Sequence, residues 1–174
     1  MRVVVNFIAF QIGWFAAVLG AGHGMPWLGV VIVPLVLLLN LVLSADWRQE
    51  LIVALAAAFM GFAVDTGLVA VGVFAPVPFL VSPPFSPPWM VMLWVNQATT
   101  LNSCQAWLRG RYLAGAVFGA VGGPLAYLSG AKLGAASLPS SSGLVILGIT
   151  WAAAFPALLA VAELVRRRLA ARAA

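Results

Sequence analysis

The sequence predicts an all-α polytopic membrane bundle of six transmembrane helices with both termini in the cytoplasm, and three observations predict it. Of 174 residues, 64% are hydrophobic and only 7% charged, where a soluble domain of this length carries about a quarter charged residues. Six apolar runs approach the roughly 20 helical residues needed to cross a hydrocarbon core of about 30 Å. With the amino terminus placed inside, Arg2, Arg48, Arg109, Arg111, Arg166, Arg167, Arg168 and Arg172 all fall on the cytoplasmic side, and Lys132 alone falls outside. That asymmetry is the positive-inside signal.

The runs extend over Val3 to Leu19, Trp27 to Ser44, Leu51 to Phe74, Trp89 to Leu108, Tyr112 to Ala131 and Leu144 to Val165. GAGHGMP joins the first two through glycine and proline, which predicts a tight antiparallel hairpin. The second connection, ADWRQE, is charged. The third, APVPFLVSPPFSPP, holds six prolines, so it predicts an extended, stiff, apolar flap over one face of the bundle. RGR is short and basic, and GAASLPSSSG is small, polar and flexible. Residues 1–165 form one transmembrane domain, and residues 166–174 a basic cytoplasmic tail. A cleaved first helix is the competing topology, but Gln11 inside the run and a single preceding cation argue against a signal peptide. No inverted repeat of the first three helices is visible in the last three.

Several function classes fall away on composition. The nine cations against four acids sit at the ends of apolar runs and form no patch for nucleic acid. A single cysteine, Cys104, excludes an internal disulfide and a cysteine-based metal centre. One histidine, His23, excludes histidine clusters of the di-iron or bis-histidine haem kind. No pattern implies a metal or cofactor.

What remains is a set of polar groups at depth. Gln11, Asp65 and Asn96 fall at similar depths on the first, third and fourth helices, with Tyr127 in the same outer half and Trp14 one turn from Gln11. Asn6, Asn40, Asn102, Ser103 and Gln105 form a second layer nearer the cytoplasm. Asn96, Thr99, Thr100 and Ser103 follow the i, i+3, i+4, i+7 spacing of one helical stripe, which should face protein or water. Each such residue is worth only about 0.6 kcal/mol as interhelical glue. Asp65 differs, because a carboxylate at the bilayer centre costs roughly 2.5–3.5 kcal/mol. It can stay protonated and bond Gln11 or Asn96, pair with Lys132, or line a wet cavity and handle a proton, ion or polar ligand. Gly115, Gly119 and Gly123 form a close-packing ridge on the fifth helix, and Pro124 should kink it beside Tyr127.

In NFIAFQIGWFAAVLGA, DTGL, LWVNQATTLNS and GAVGGPLAYLSGAKLG the chain resembles a bacterial inner-membrane family known only as a domain of unknown function, number 2878. The likeness covers nearly the whole chain. It implies that Asn6, Gln11, Trp14, Asp65, Thr100, Asn102, Pro124 and Tyr127 occupy the family's characteristic positions. Ser103 and Cys104 follow the TTLN run where the resemblance leads one to expect a histidine, so histidine chemistry is not carried over. The resemblance also implies an association with enzymes that modify unsaturated acyl chains, such as cyclopropane-synthase-like methyltransferases.

The sequence-level expectation is therefore a lipid- or fatty-acyl-binding accessory protein of the bacterial inner membrane, with membrane lipids and lipid-modifying enzymes as partners. Gln11, Trp14, Asp65, Asn96, Thr100 and Tyr127 would form its polar cluster. A proton- or ion-coupled transporter using Asp65, and a membrane enzyme using Asp65 or Tyr127 for proton transfer, are the alternatives.

Overall fold

A computed structural model describes residues 2–138, 140 and 142–173; Met1, Pro139, Ser141 and Ala174, which fall at the two ends and in the fifth connection, lie outside the described residues. The six apolar runs are all helical: α1 (Arg2–Gly22), α2 (Trp27–Leu43), α3 (Trp47–Ala70), α4 (Pro88–Leu101), α5 (Tyr112–Lys132) and α6 (Ser142–Ala173). α1 and α2 form the expected antiparallel hairpin, with Gly29 seated against Ala17 near the turn and Asn6 bonded to Asn40 at the far end.

Helix ends follow local chemistry. Asp46 caps α3 by accepting from the backbone N–H groups of Arg48 (3.1 Å) and Gln49 (3.2 Å), a contact worth about 1 kcal/mol. This cap starts α3 four residues before the run that hydropathy alone selects. At the other end Gly72, with φ of 72°, turns the chain out of the helix. α6 continues without a break through the arginines of the tail.

The fourth helix is shorter than predicted. It ends at Leu101 rather than Leu108, because the chain folds into a turn in which the N–H groups of Ser103 and Gln105 both bond back to the Thr100 carbonyl. A one-turn 3₁₀ helix over Ala106–Leu108 follows. The 14 residues of α4 extend about 21 Å. Among the described residues four helices, α1, α3, α5 and α6, are long and apolar enough to cross a membrane. α2 is apolar but has 17 residues.

Short α4 is the centre of the bundle, packing against α1, α2, α3 and α6. Trp89 and Trp94 are among its buried residues. The Trp94 ring lies on Gly61 of α3, where any side chain would collide with the indole. α5 hangs on α6 through its glycine ridge: Gly115 meets Leu159, and Gly119 and Gly123 meet Trp151. The ridge is thus the close-packing surface its spacing predicts. Large apolar side chains such as Leu55, Phe59, Leu113 and Ile149 face outward, each more than half exposed. A bilayer, not water, is the solvent that suits them.

The proline-rich segment is pinned to its neighbours. Residues Ala75–Pro76 (β1) pair antiparallel with Ala136–Ser137 (β2), Ala75 opposite Ser137. Trp89 Nε1 donates to the Val77 carbonyl at 2.9 Å, and the Ser86 N–H donates to Thr66 Oγ1 at 3.1 Å. The fifth connection, expected to be flexible, supplies β2 and the buried Ala135.

At the opposite end, Arg2 lies 3.6 Å from buried Glu50, whose carboxylate also accepts from Ser44 (3.2 Å) and Asn102 (3.3 Å). The starts of α1, α3 and α5 and the end of α6 therefore share one end of the bundle with the arginines. The first described residue of α1 and the last of α6 lie at that end.

Candidate functional site

α1 and α5 approach each other at their last turns, where Gly22 meets Leu133 and Val18 lies near Gly130. Towards the arginine end they stand apart, and a cavity of about 400 Å³ fills the space between them. Phe7, Gln11 and Trp14 line it from α1, and Phe118, Gly122 and Ala126 from α5. Met90, Leu93, Trp94 and Gln97 of α4 line it as an i, i+3, i+4, i+7 stripe. Trp151 and Phe155 of α6 contribute more of the wall.

Phe7, Phe15 and Phe118 line the cavity and are also 40–53% exposed on the outside of the bundle. They mark a lateral mouth between two helices whose outer faces suit hydrocarbon. The cavity runs along α5 from Phe118 to Gly130, about 18 Å at 1.5 Å per residue. That is a little more than the thickness of one leaflet, half of a core of about 30 Å.

Asp65 lies in the wall of this cleft with no exposed surface. Its Oδ1 accepts from the Tyr127 hydroxyl at 2.5 Å, and its Oδ2 accepts from Trp94 Nε1 at 2.9 Å. Trp94 stacks on Trp151 with ring centroids 4.5 Å apart and planes 19° off parallel. Tyr127 meets Phe74 edge-on at 4.9 Å. One carboxylate thus fixes two large aromatic side chains from α4 and α5 in a single orientation. Each of its oxygens holds a donor that hydrocarbon surroundings would otherwise leave unpaired.

The structure brings together some of the predicted residues and separates others. Gln11, Trp14, Asp65 and Tyr127 line the cleft. Asp65 does not bond Gln11 or Asn96, as its depth suggested, and it forms no ion pair with Lys132 among the described residues. Asn96 points away from the cleft towards α1, where its Nδ2 donates to the Phe10 carbonyl at 2.9 Å. The reason is angular: Asn96 and Trp94 are two residues apart on one helix and face different neighbours. Thr100 Oγ1 lies 2.6 Å from the Gln97 carbonyl and 2.8 Å from Gln105 Oε1, at the arginine end of the cleft. The polar stripe on α4 faces protein as expected, with Asn96, Thr99 and Thr100 buried, but Ser103 lies beyond the helix.

The second layer is a tie between elements. Asn6 Nδ2 donates to Asn40 Oδ1 (3.2 Å) and the Thr99 carbonyl (2.9 Å), linking α1, α2 and α4. Asn102 reaches Glu50, and Ser103 Oγ is buried without a partner. His23 bonds the Leu19 carbonyl at 2.9 Å in the α1–α2 turn, outside the cleft.

Trp94, Gln97 and Trp151 were not picked out as site residues by sequence, and Gln105, placed in the second layer, lines the cleft. Gln97 carries a legible signal: it extends the Met90, Leu93, Trp94 stripe that faces the cleft, and it bonds Gln105 at 2.6 Å. Glu50 is a buried acid hidden in a connection that reads as surface charge. Among the described residues no group of three or more His, Cys, Asp or Glu side chains converges as a metal site.

No curated protein and no solved structure matches the chain significantly. A family model does, over residues 3–157, a stretch that takes in every residue lining the cleft. The chain belongs to that family, described as "Protein of unknown function (DUF2878)".

Proposed function

We propose that the protein is a lipid-binding accessory module of the bacterial inner membrane, holding the hydrocarbon part of one lipid in the cleft between α1 and α5. On this reading all six helices cross the membrane and both termini are cytoplasmic. The observation that carries it is the lateral mouth: an elongated, largely apolar cavity opening sideways between two lipid-facing helices, rimmed by Phe7, Phe15 and Phe118. A water-soluble ligand has no use for that entrance, whereas a lipid reaches it by diffusing in the plane of the bilayer. The Asp65–Tyr127–Trp94 bonds favour a fixed receptacle, since each carboxyl oxygen already holds a donor from a neighbouring helix. Enzymes that modify acyl chains would be the partners served.

Gly122 offers the test. A Cβ there meets nothing nearer than Phe118 at 4.0 Å, so a large side chain can enter the cleft without displacing its walls. Native mass spectrometry from nanodiscs should show one retained lipid on the wild-type chain and none on Gly122→Phe. Equal lipid retention by both proteins would overturn the proposal.

A further inference from the structure

A phospholipid places its carbonyls and head group at the bilayer surface and presents only hydrocarbon deeper in. The cleft is not purely apolar at that depth. Gln11 stands near the middle of α1, half-buried in the cleft, with no side-chain hydrogen bond to another described residue. By contrast, the Asp65, Tyr127 and Trp94 groups satisfy one another. An amide facing hydrocarbon with nothing to bond is costly, so the Gln11 side chain is matched by a ligand with a polar atom at mid-depth.

The walls describe the rest of that ligand. Trp14 and Trp151, both half-buried, give the cavity aromatic walls, and Gly122 leaves the α5 side without bulk. A planar ring fits such a space by offset or edge-on stacking. Resting on the lipid-binding reading above, we infer that the ligand is a membrane-dissolved lipid with a planar, carbonyl-bearing ring, the chemistry of an isoprenoid quinone. A ring carbonyl accepts from the Gln11 amide, the ring lies against the tryptophans, and the tail leaves through the phenylalanine-rimmed mouth.

Tryptophan emission from the protein in nanodiscs reads binding, because a quinone ring quenches indoles it touches. The probe is a benzoquinone with a decyl tail; decylbenzene, with the same tail and a ring without carbonyls, is the control. Gly122→Phe measures quenching by quinone merely dissolved in the bilayer, which is subtracted. The quinone should saturate the wild-type signal, bind about tenfold more tightly than decylbenzene competing for the same site, and lose about tenfold in Gln11→Met, the equivalent of one hydrogen bond. Binding of oleic acid should be unchanged in Gln11→Met, which also shows that this variant folds. Equal affinity for quinone and decylbenzene overturns the inference and needs no variant. If oleic acid binds and Gly122→Phe blocks it while the quinone does not saturate, the ring-carbonyl assignment falls and the lipid-binding reading stands. If neither probe binds, both fall.

Discussion

Asp65 accepts two hydrogen bonds in a place where the groups that donate them have no other acceptor. Tyr127 and Trp94 are buried, and losing a buried partner costs about 1–3 kcal/mol for each orphaned group. Asp65→Leu should therefore destabilise the protein by about 2–5 kcal/mol. Asp65→Asn keeps an acceptor for Trp94 and an amide that can donate to the Tyr127 oxygen, so its loss should stay near 1 kcal/mol. Thermal unfolding in detergent, followed by tryptophan emission, checks the ranking; similar losses in both variants would show that the hydrogen bonds are not what holds the aromatic pair. Asn6 permits a parallel test at the other end of the bundle. Asn6→Leu strands Asn40 and loosens α1 from α4, with a loss of about 1–3 kcal/mol expected in the same assay. That Asp65 is special was legible in the sequence, since one acid within a span of small apolar residues needs an explanation. Its partners were not. Depth along each helix places Gln11 and Asn96 level with it, but rotation about the helix axis decides contacts, and rotation is set by how Gly61 lets Trp94 approach α3.

α5 carries two kinds of glycine that the sequence presents alike. Gly119 and Gly123 face Trp151 with no room for a Cβ, while Gly122, one position from Gly123, borders open cavity. Gly123→Val should cost about 1–3 kcal/mol through forced repacking of the indole. Gly122→Ala should change stability by less than about 1 kcal/mol, since it adds a good helix former without a clash. Unfolding midpoints in one detergent decide between them, and matching losses would mean that the ridge does not pack as described. The spacing of Gly115, Gly119 and Gly123 was enough to predict a packing ridge. It did not reveal that the adjacent face of the same helix lines the cleft, because an empty volume leaves no residue pattern of its own. The length of α4 was illegible for a related reason. Asn102, Ser103, Cys104 and Gln105 continue a run compatible with a helix, and the turn on the Thr100 carbonyl that ends it at Leu101 is held by tertiary partners, Glu50 for Asn102 and Asn6 for Cys104.

The whole molecule poses one question that its helices leave open when taken singly. Four are long enough to cross a bilayer alone, but α2 has 17 residues and α4 has 14, or about 25 and 21 Å. A lone helix of 21 Å is mismatched to a core of about 30 Å. α4 is not alone, because it is enclosed by α1, α2, α3 and α6, and irregular backbone at membrane depth is tolerated where protein buries it. The turn after Leu101 and the pinned segment before Pro88 can thus complete its crossing. This gives a topology prediction: one end of the bundle holds Ala45 and Ala171, and the other holds Leu80 and Ser140, all four exposed. In a Cys104→Ser background, single cysteines at these positions should sort into two pairs when labelled with a membrane-impermeant maleimide in intact cells and in inverted vesicles. Ala45→Cys and Ala171→Cys should react only in vesicles, Leu80→Cys and Ser140→Cys only in cells. Leu80→Cys reacting from the same side as Ala171→Cys would mean that fewer than six helices cross. The arginines would then mark one end of the protein without marking the cytoplasm, and the cleft mouth would need another route to the bilayer.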